Sequence, residues 1–480
     1  MSIEIKELRD SVDRAYVGIR LNTDKVKPVH IANGLFREAS ESIADTKLLH
    51  RFVFDQTNKG VVPKGHALDD LLEDLGDAES LESGIENSEI SKFRRQLKKV
   101  VSADDGVFTG QMQSYSAAST AFLSKDTVGQ DAGGFFVAWL EHIKSGLLEQ
   151  IQECLESSED VISVMCSPLL SEDNDDWERS VEVDELKFAS SHLRKSAKSS
   201  HWTGLKLASE TLAEHLHHQP DKLFHMRLVV SFASLVVLRH VAALESYYVK
   251  DAKLPPFLLD FGMGNGLKEA SKQSYSRCRS SISRFYAYAF GQELKRTHSV
   301  QDLSKCRPPV YADGNNTKLT KQGNAIWKLK KASIGSAKNK YNAFGEAIFD
   351  MLALNANATA IQYFKGLGGR IGLLHPKKGA AVPWFRPSPD LIELLLYCCL
   401  EPDAPPVELS ELCNRFEERF GVLTGGGQND EEILESNAIY SWDRDALSEN
   451  VSNFKKLLIA NGFATELADG ITTVSTGVLS

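Results

Sequence analysis

The sequence predicts a mainly α, multidomain protein with minor β structure that ends in a winged-helix-like domain. Three observations carry this expectation. Apolar residues recur at helical spacing through much of the chain. The longest nearly unbroken apolar run, 228–238, is about half of what a membrane span needs, so it reads as part of a buried core helix. Near the C-terminus, helical patterns give way to two short runs around Asp469–Gly470, a dipeptide favoured in tight hairpin turns.

The elements follow in order. FREASESIADTKLLHRF (36–52) has apolar residues at helical spacing, and the acidic stretch 69–89 reads as a surface helix or linker. In 134–154, Phe136, Leu140, Ile143, Leu147 and Ile151 share one helical face. The β-branched run Val161 to Val164 suits a strand. Two helices span 201–250, broken at Gln219–Pro220, and the second, 223–248, is apolar nearly all round. Pro255–Pro256 opens a basic helical region. Further on, Ser388–Pro389–Asp390 starts a helix to Leu400. Leu409, Leu412, Phe416 and Phe420 mark an amphipathic helix stopped by Gly421, and Leu447, Val451, Phe454 and Leu458 mark another over 443–460. These readings divide the 480 residues into four segments. They are 1–100 (an α/β segment with an acidic linker), 101–254 (helical), 255–384 (basic, helical) and 385–480 (acidic, winged-helix-like).

Charge is strongly segregated. The formal net charge is −10, yet 261–341 holds sixteen bases against four acids, and 385–480 holds six bases against seventeen acids. A basic region of this kind attracts a polyanion even when the whole chain is acidic. In KEASKQSYSRCRSSISRFYAYAFGQELKR one face is apolar, with Ala270, Ser274, Cys278, Ile282, Phe285 and Ala289. Arg277, Arg284, Tyr288 and Lys295 form an adjacent stripe, with Arg279 and Arg296 nearby. A second cluster, Lys318, Lys321, Lys328, Lys330, Lys331, Lys338 and Lys340, surrounds Trp327. Cations interleaved with aromatic rings suit a phosphate backbone with stacked bases, DNA or RNA, and equally suit an acidic protein surface.

Other motifs are weaker. GMGNG (262–266) matches neither a dinucleotide fingerprint nor a P-loop, and reads as a turn that can also present backbone N–H groups at a helix start. Seven of the thirteen histidines fall between 192 and 240 without an H-E-x-x-H motif, so they read as core and surface residues. Asp176, Glu185 and Lys187 form the outline of a metal-dependent nuclease element, the alternative enzymatic reading. No cofactor motif and no resident metal is expected. Seven cysteines without a C-x-x-C pair, and an N-terminus without a signal pattern, suit a reduced cytoplasmic protein with no membrane attachment.

Three stretches taken together, PPFLLDFGMGNGLKEAS, LGGRIGLLHP with RPSPDLIELLL, and ANGFATELADGITTV, resemble uncharacterised accessory proteins of bacterial multi-gene anti-phage defence and DNA-restriction operons. The resemblance covers the second half, from Pro255 onward, and contains no catalytic signature. It implies a bacterial cytoplasmic antiviral defence protein that acts on foreign DNA within a complex, beside an ATPase or helicase of the same operon. The combined expectation is a non-enzymatic subunit that binds nucleic acid through 261–341 and other subunits through its acidic C-terminal domain. A purely protein-binding scaffold is the remaining alternative.

Overall fold

The computed structural model describes residues 4–21, 27–41, 44–45, 92, 96, 130–156, 171–172, 200–218, 222–262, 266–305, 317–334, 339–354, 359–377, 381–468 and 470–476. The acidic stretch 69–89, the run Val161 to Val164, and Asp176, Glu185 and Lys187 lie outside these residues. The architecture is mainly helical. Helix α1 (Ile5–Val12) runs into a π-helical turn, Asp13–Val17, and α2 spans Pro28–Ser40. Here the expected 36–52 helix is corrected: Glu41 takes a left-handed φ of 49° and ends α2, and β1 (Ala44–Asp45) follows, paired with β2 (Ser171–Glu172).

The 134–154 helix is likewise two helices, α3 (Gln130–Ile143) and α4 (Leu147–Glu156). Lys144 is left-handed at φ 54°, and Ser145 Oγ accepts from the Leu147 amide, which breaks the first helix and starts the second. The expected apolar face survives the break, with Phe136, Leu140, Leu147 and Ile151 all buried.

Helices α5 (Ser200–His218) and α6 (Lys222–Tyr248) flank the expected break at 219–220. A stretch of α6, Phe224–Tyr248, is long and apolar enough to cross a membrane, but 89% of an apolar 18-residue window within it is buried inside the fold, covered by α2, α3, the π-turn and later helices. Strand β3 (Phe257–Leu258) leads to α7 (Lys268–Thr297), the 30-residue helix expected of the basic region. Its predicted apolar face is fully buried: Ala270, Ser274, Cys278, Ile282, Phe285 and Ala289 are all at 0% exposure. Next come α8 (Val300–Lys305), α9 (Thr317–Ile334) and α10 (Lys340–Ala353). α7 and α10 cross backbone to backbone: a Cβ on Gly345 would collide with the Ala287 carbonyl, so glycine sets this approach.

Helix α11 (Ala360–Arg370) precedes the two-strand ladder of β4 (Leu374–His375) and β5 (Trp384–Phe385). α12 (Pro389–Tyr397) is capped by Ser388 as its sequence predicts, but stops short of Leu400. The reason is tertiary: Arg419, Arg415 and His215 hydrogen-bond the carbonyls of Cys398, Cys399 and Leu400 and hold them outside a regular helix. After β6 (Val407–Glu408) comes α13 (Leu409–Phe420), closed by left-handed Gly421, whose lack of a Cβ also makes room for the Arg239 guanidinium.

β7 (Val422–Leu423) pairs in parallel with β3. Gly425 and Gly427 point their amides at Asp430 Oδ2, at the start of α14 (Asp430–Ser436). α15 (Arg444–Ala460) is capped by Asp443, and β8 (Ala464–Glu466) and β9 (Thr472–Val474) form the expected hairpin, with Gly470 at φ 86°. β6 joins them in an antiparallel sheet of order β6–β9–β8. One hydrophobic cluster runs from Ile5 to Val474, with a smaller one around Leu258, Leu423 and Leu447. Asn450, 2% exposed, ties the strands together: its side chain donates to the Leu259 and Thr424 carbonyls and accepts from the Phe261 amide.

Candidate nucleic-acid interface

α7 is held rigidly between α6 and α10, so its side chains have fixed addresses. Arg277 and Arg284 lie seven residues apart on one face and meet the same carboxylate. Arg284 donates through Nε and Nη2 to both oxygens of Glu245, and Arg277 Nη1 donates to Glu245 Oε2 at 3.2 Å. Glu245, on α6, is 4% exposed. Arg277 also donates to the Lys253 carbonyl. Two predicted phosphate contacts are thus a clamp on a buried acid, with one net positive charge between the three groups.

Arg296 pairs with Glu293 at 2.6 Å and holds that carboxyl below its ordinary range, with Ser11 donating to the same group. Arg279 and Lys295 reach solvent with no ion pair among the described residues. Tyr288 is half-buried with its ring 6.4 Å from that of Tyr248.

The second cluster divides differently. Lys321 and Lys328 on α9 and Lys340 at the start of α10 are exposed, whereas the side chains of Lys318, Lys330, Lys331 and Lys338 lie outside the described residues. Trp327 corrects the expectation of a stacking platform. It is 1% exposed and packs on Phe344 at 5.6 Å between centroids, anchoring α9 to α10. A ring so covered offers no face to a base. The apolar spacing of Ile326 and Trp327 within a lysine-rich helix was the signal for an inward position.

The solvent face of α7 carries residues that the arginine stripe overlooked. Lys272, Ser276, Arg279 and Ser283 stand at i, i+4, i+7 and i+11, and all reach the surface. Among the described residues Lys272 pairs only with Glu269, one turn away. A concavity of about 350 Å³ lies at the start of this row, lined by Lys268, Lys272, Gln273, Ser276, Val382 and Trp384. The Lys268 ammonium sits 4.4 Å over the Trp384 ring. The glycine-rich turn before α7 closes partly on itself, since the Gly262 amide donates to Asp260. Further along α7, a second concavity of about 350 Å³ opens between α6, α7 and α10, with Arg284, Tyr288, Asn342, Glu346, Phe349 and Asp350 in its walls.

His215, His225 and His240 are buried in the fold. His215 and His240 bond the carbonyls of Leu400 and Val17, and His225 lies 3.7 Å from Cys154 Sγ. No group of three or more metal-ligating side chains occurs among the described residues. Compared with known protein families, with curated proteins and with solved structures, the chain matches none.

Proposed function

We infer that the protein is a non-enzymatic nucleic-acid-binding subunit that lays a phosphate backbone along the solvent face of α7. The observation that carries this reading is the row Lys272, Ser276, Arg279 and Ser283 on one rigid helix, with a concavity at either end. Cations and hydroxyls at helical spacing suit successive phosphates, and the half-buried Tyr288 marks an end where a base can stack. From Lys268 to Tyr288 the helix rises about 30 Å, which is room for several nucleotides.

The C-terminal residues complete the reading as a winged helix. The order α12, β6, α13, β7, α14, α15, β8, β9, with β9 central in the sheet it forms with β6 and β8, supports that fold. The −11 formal charge of 385–480 opposes a DNA-reading role, so this domain docks on protein. The resemblance to defence-operon proteins makes an ATPase or helicase subunit the partner and the bacterial cytoplasm the setting.

The test is binding to single- and double-stranded DNA and RNA across a salt series. Each phosphate contact contributes about −0.7 to −0.9 to the log–log slope. Exchanging Lys272, Arg279, Lys295 and Lys328 for glutamine flattens that slope and removes most of the affinity. An unchanged slope moves the site off α7. The protein-scaffold reading is favoured by one observation, the capture of Arg277 and Arg284 by Glu245, and absence of binding by the wild type at low salt would establish it.

A further inference from the structure

The cleft between α6, α7 and α10 poses a difficulty for a purely electrostatic groove, because it carries carboxylates where a phosphate would pass. Asn342, Glu346 and Asp350 stand at i, i+4 and i+8, so α10 presents one amide and two carboxylates along a single face. Opposite them, α7 contributes Ser283, Arg284, Ala287 and Tyr288, and Phe349 and Val249 add apolar wall. Glu245 is a different case, since Arg277 and Arg284 already neutralise it. The other carboxylates of the cleft, Glu346 and Asp350, belong to α10.

The geometry points to this cleft as a pocket for one unstacked nucleobase with a donor-rich edge, guanine foremost, taken from the strand that α7 holds. This rests on the reading of α7 given above. The volume of about 350 Å³ admits a single base but not a base pair with its backbone. Tyr288, backed by Tyr248, provides an aromatic wall, and Arg284, held by Glu245, stands beside it. Guanine shows two adjacent donors, N1–H and the 2-amino group, which match the two oxygens of one carboxylate. Adenine and cytosine offer one amino group, and thymine and uracil one ring N–H. A carboxylate has about four acceptor sites, so Glu346 and Asp350 can keep their other polar contacts and still receive a base edge. Ser283, the last residue of the solvent-facing row, also lines the cleft, so a strand held along that row passes its mouth.

The experiment uses the full chain and fluorescence anisotropy with labelled oligothymidylate, with and without one central dG, at fixed salt. The oligonucleotide with dG is expected to bind about tenfold tighter, the discrimination typical of one bidentate base contact. Guanosine monophosphate is expected to compete, and uridine monophosphate is not. The double variant Glu346→Gln, Asp350→Asn is expected to reduce the preference to within about twofold, with binding of the all-dT strand kept or strengthened. Tyr288→Leu, which leaves both acids in place, is expected to weaken guanosine monophosphate competition.

Equal affinity for both oligonucleotides, with a normal salt slope, overturns the base pocket and leaves the α7 reading standing. A dG preference that survives the double variant also overturns it, as does competition by spermidine without competition by the guanine nucleotide, which would make the cleft a cation site. Absence of binding to any oligonucleotide removes both readings.

Discussion

α7 and the C-terminal residues from 385 onward carry opposite formal charge, and the structure neutralises them in opposite ways. On α7 the compensating acids are buried: Glu245 and Glu293 are each 4% exposed, and the arginines reach in to them. In the C-terminal region the compensating bases divide: Arg415 and Arg419 are largely covered where they meet Glu401, and others sit outside. The Arg444 side chain is 83% exposed against Glu431, and Lys455 meets Glu466 at the surface. Formal charge and available charge therefore differ more on α7, where part of the basic count is structural. Pairing around a buried acid fixes helix positions, whereas exposed pairs contribute little to stability.

The largest expected effect tests the uncharged joint between the two regions. Asn450→Ala leaves the Phe261 amide and the Leu259 and Thr424 carbonyls without their buried partner, and is expected to cost about 3–4 kcal/mol in urea unfolding. Glu245→Ala is next, at about 3 kcal/mol, because Arg277 is left mostly buried and unpaired. Glu245→Gln keeps part of the hydrogen bonding and is expected to lose less. A loss near zero for Glu245→Ala would show that both arginines swing free to solvent, and would restore them as phosphate contacts.

A pH series sharpens the comparison for the N-terminal turn that docks on α6 and α7. Asp13 accepts from Tyr286, and burial pushes its carboxyl up to about 6 despite Arg9 beside it. His240 donates to the Val17 carbonyl, and burial pushes it down to about 4. The raised carboxyl adds stability that is complete below about pH 4 and is lost as pH rises through about 6. The depressed imidazole acts in the other direction: the unfolded chain takes up a proton below about 6.5, so stability falls toward pH 4. In the wild type these opposing slopes largely cancel between pH 4 and 6. Asp13→Asn removes one of them, and its unfolding free energy is expected to fall with acidification across that window by up to about 3 kcal/mol. A flat profile in that variant would mean that His240 is charged in the fold. The smallest effect closes the series: Arg444→Ala is expected to leave the Tm unchanged, since its pair with Glu431 lies in solvent.

What the sequence made legible was local. The apolar face of α7, the boundaries of α6, the Ser388 and Asp443 caps and the hairpin at Gly470 follow from spacing and turn chemistry within a few residues. What escaped was set by partners distant in sequence. The early stop of α12 depends on Arg415, Arg419 and His215, and the clamp on Glu245 joins two helices. Trp327 was read by its neighbours' charge when its own apolar position decided its direction. On α7 the arginines drew attention because they are charged, although the row of Lys272, Ser276, Arg279 and Ser283 follows the same spacing rule and keeps the solvent face.

The parallel pairing of β3 with β7, locked by Asn450, also has a consequence for synthesis. Apart from Ser274, the segment that positions the start of α7 waits for its partners: β7 is made about 165 residues later and Asn450 about 190 later, which takes about 10–40 s at ordinary elongation rates. During that interval Phe257, Leu258 and Leu259 lack the strand that covers them, although Glu245 already ties the basic helix to α6. A ribosome stalled before Val422 would hold a chain with exposed strand edges, open to chaperones or to aggregation. Synthesis of β7 and Asn450, rather than of α7 itself, sets the moment at which the start of the basic helix is locked in place.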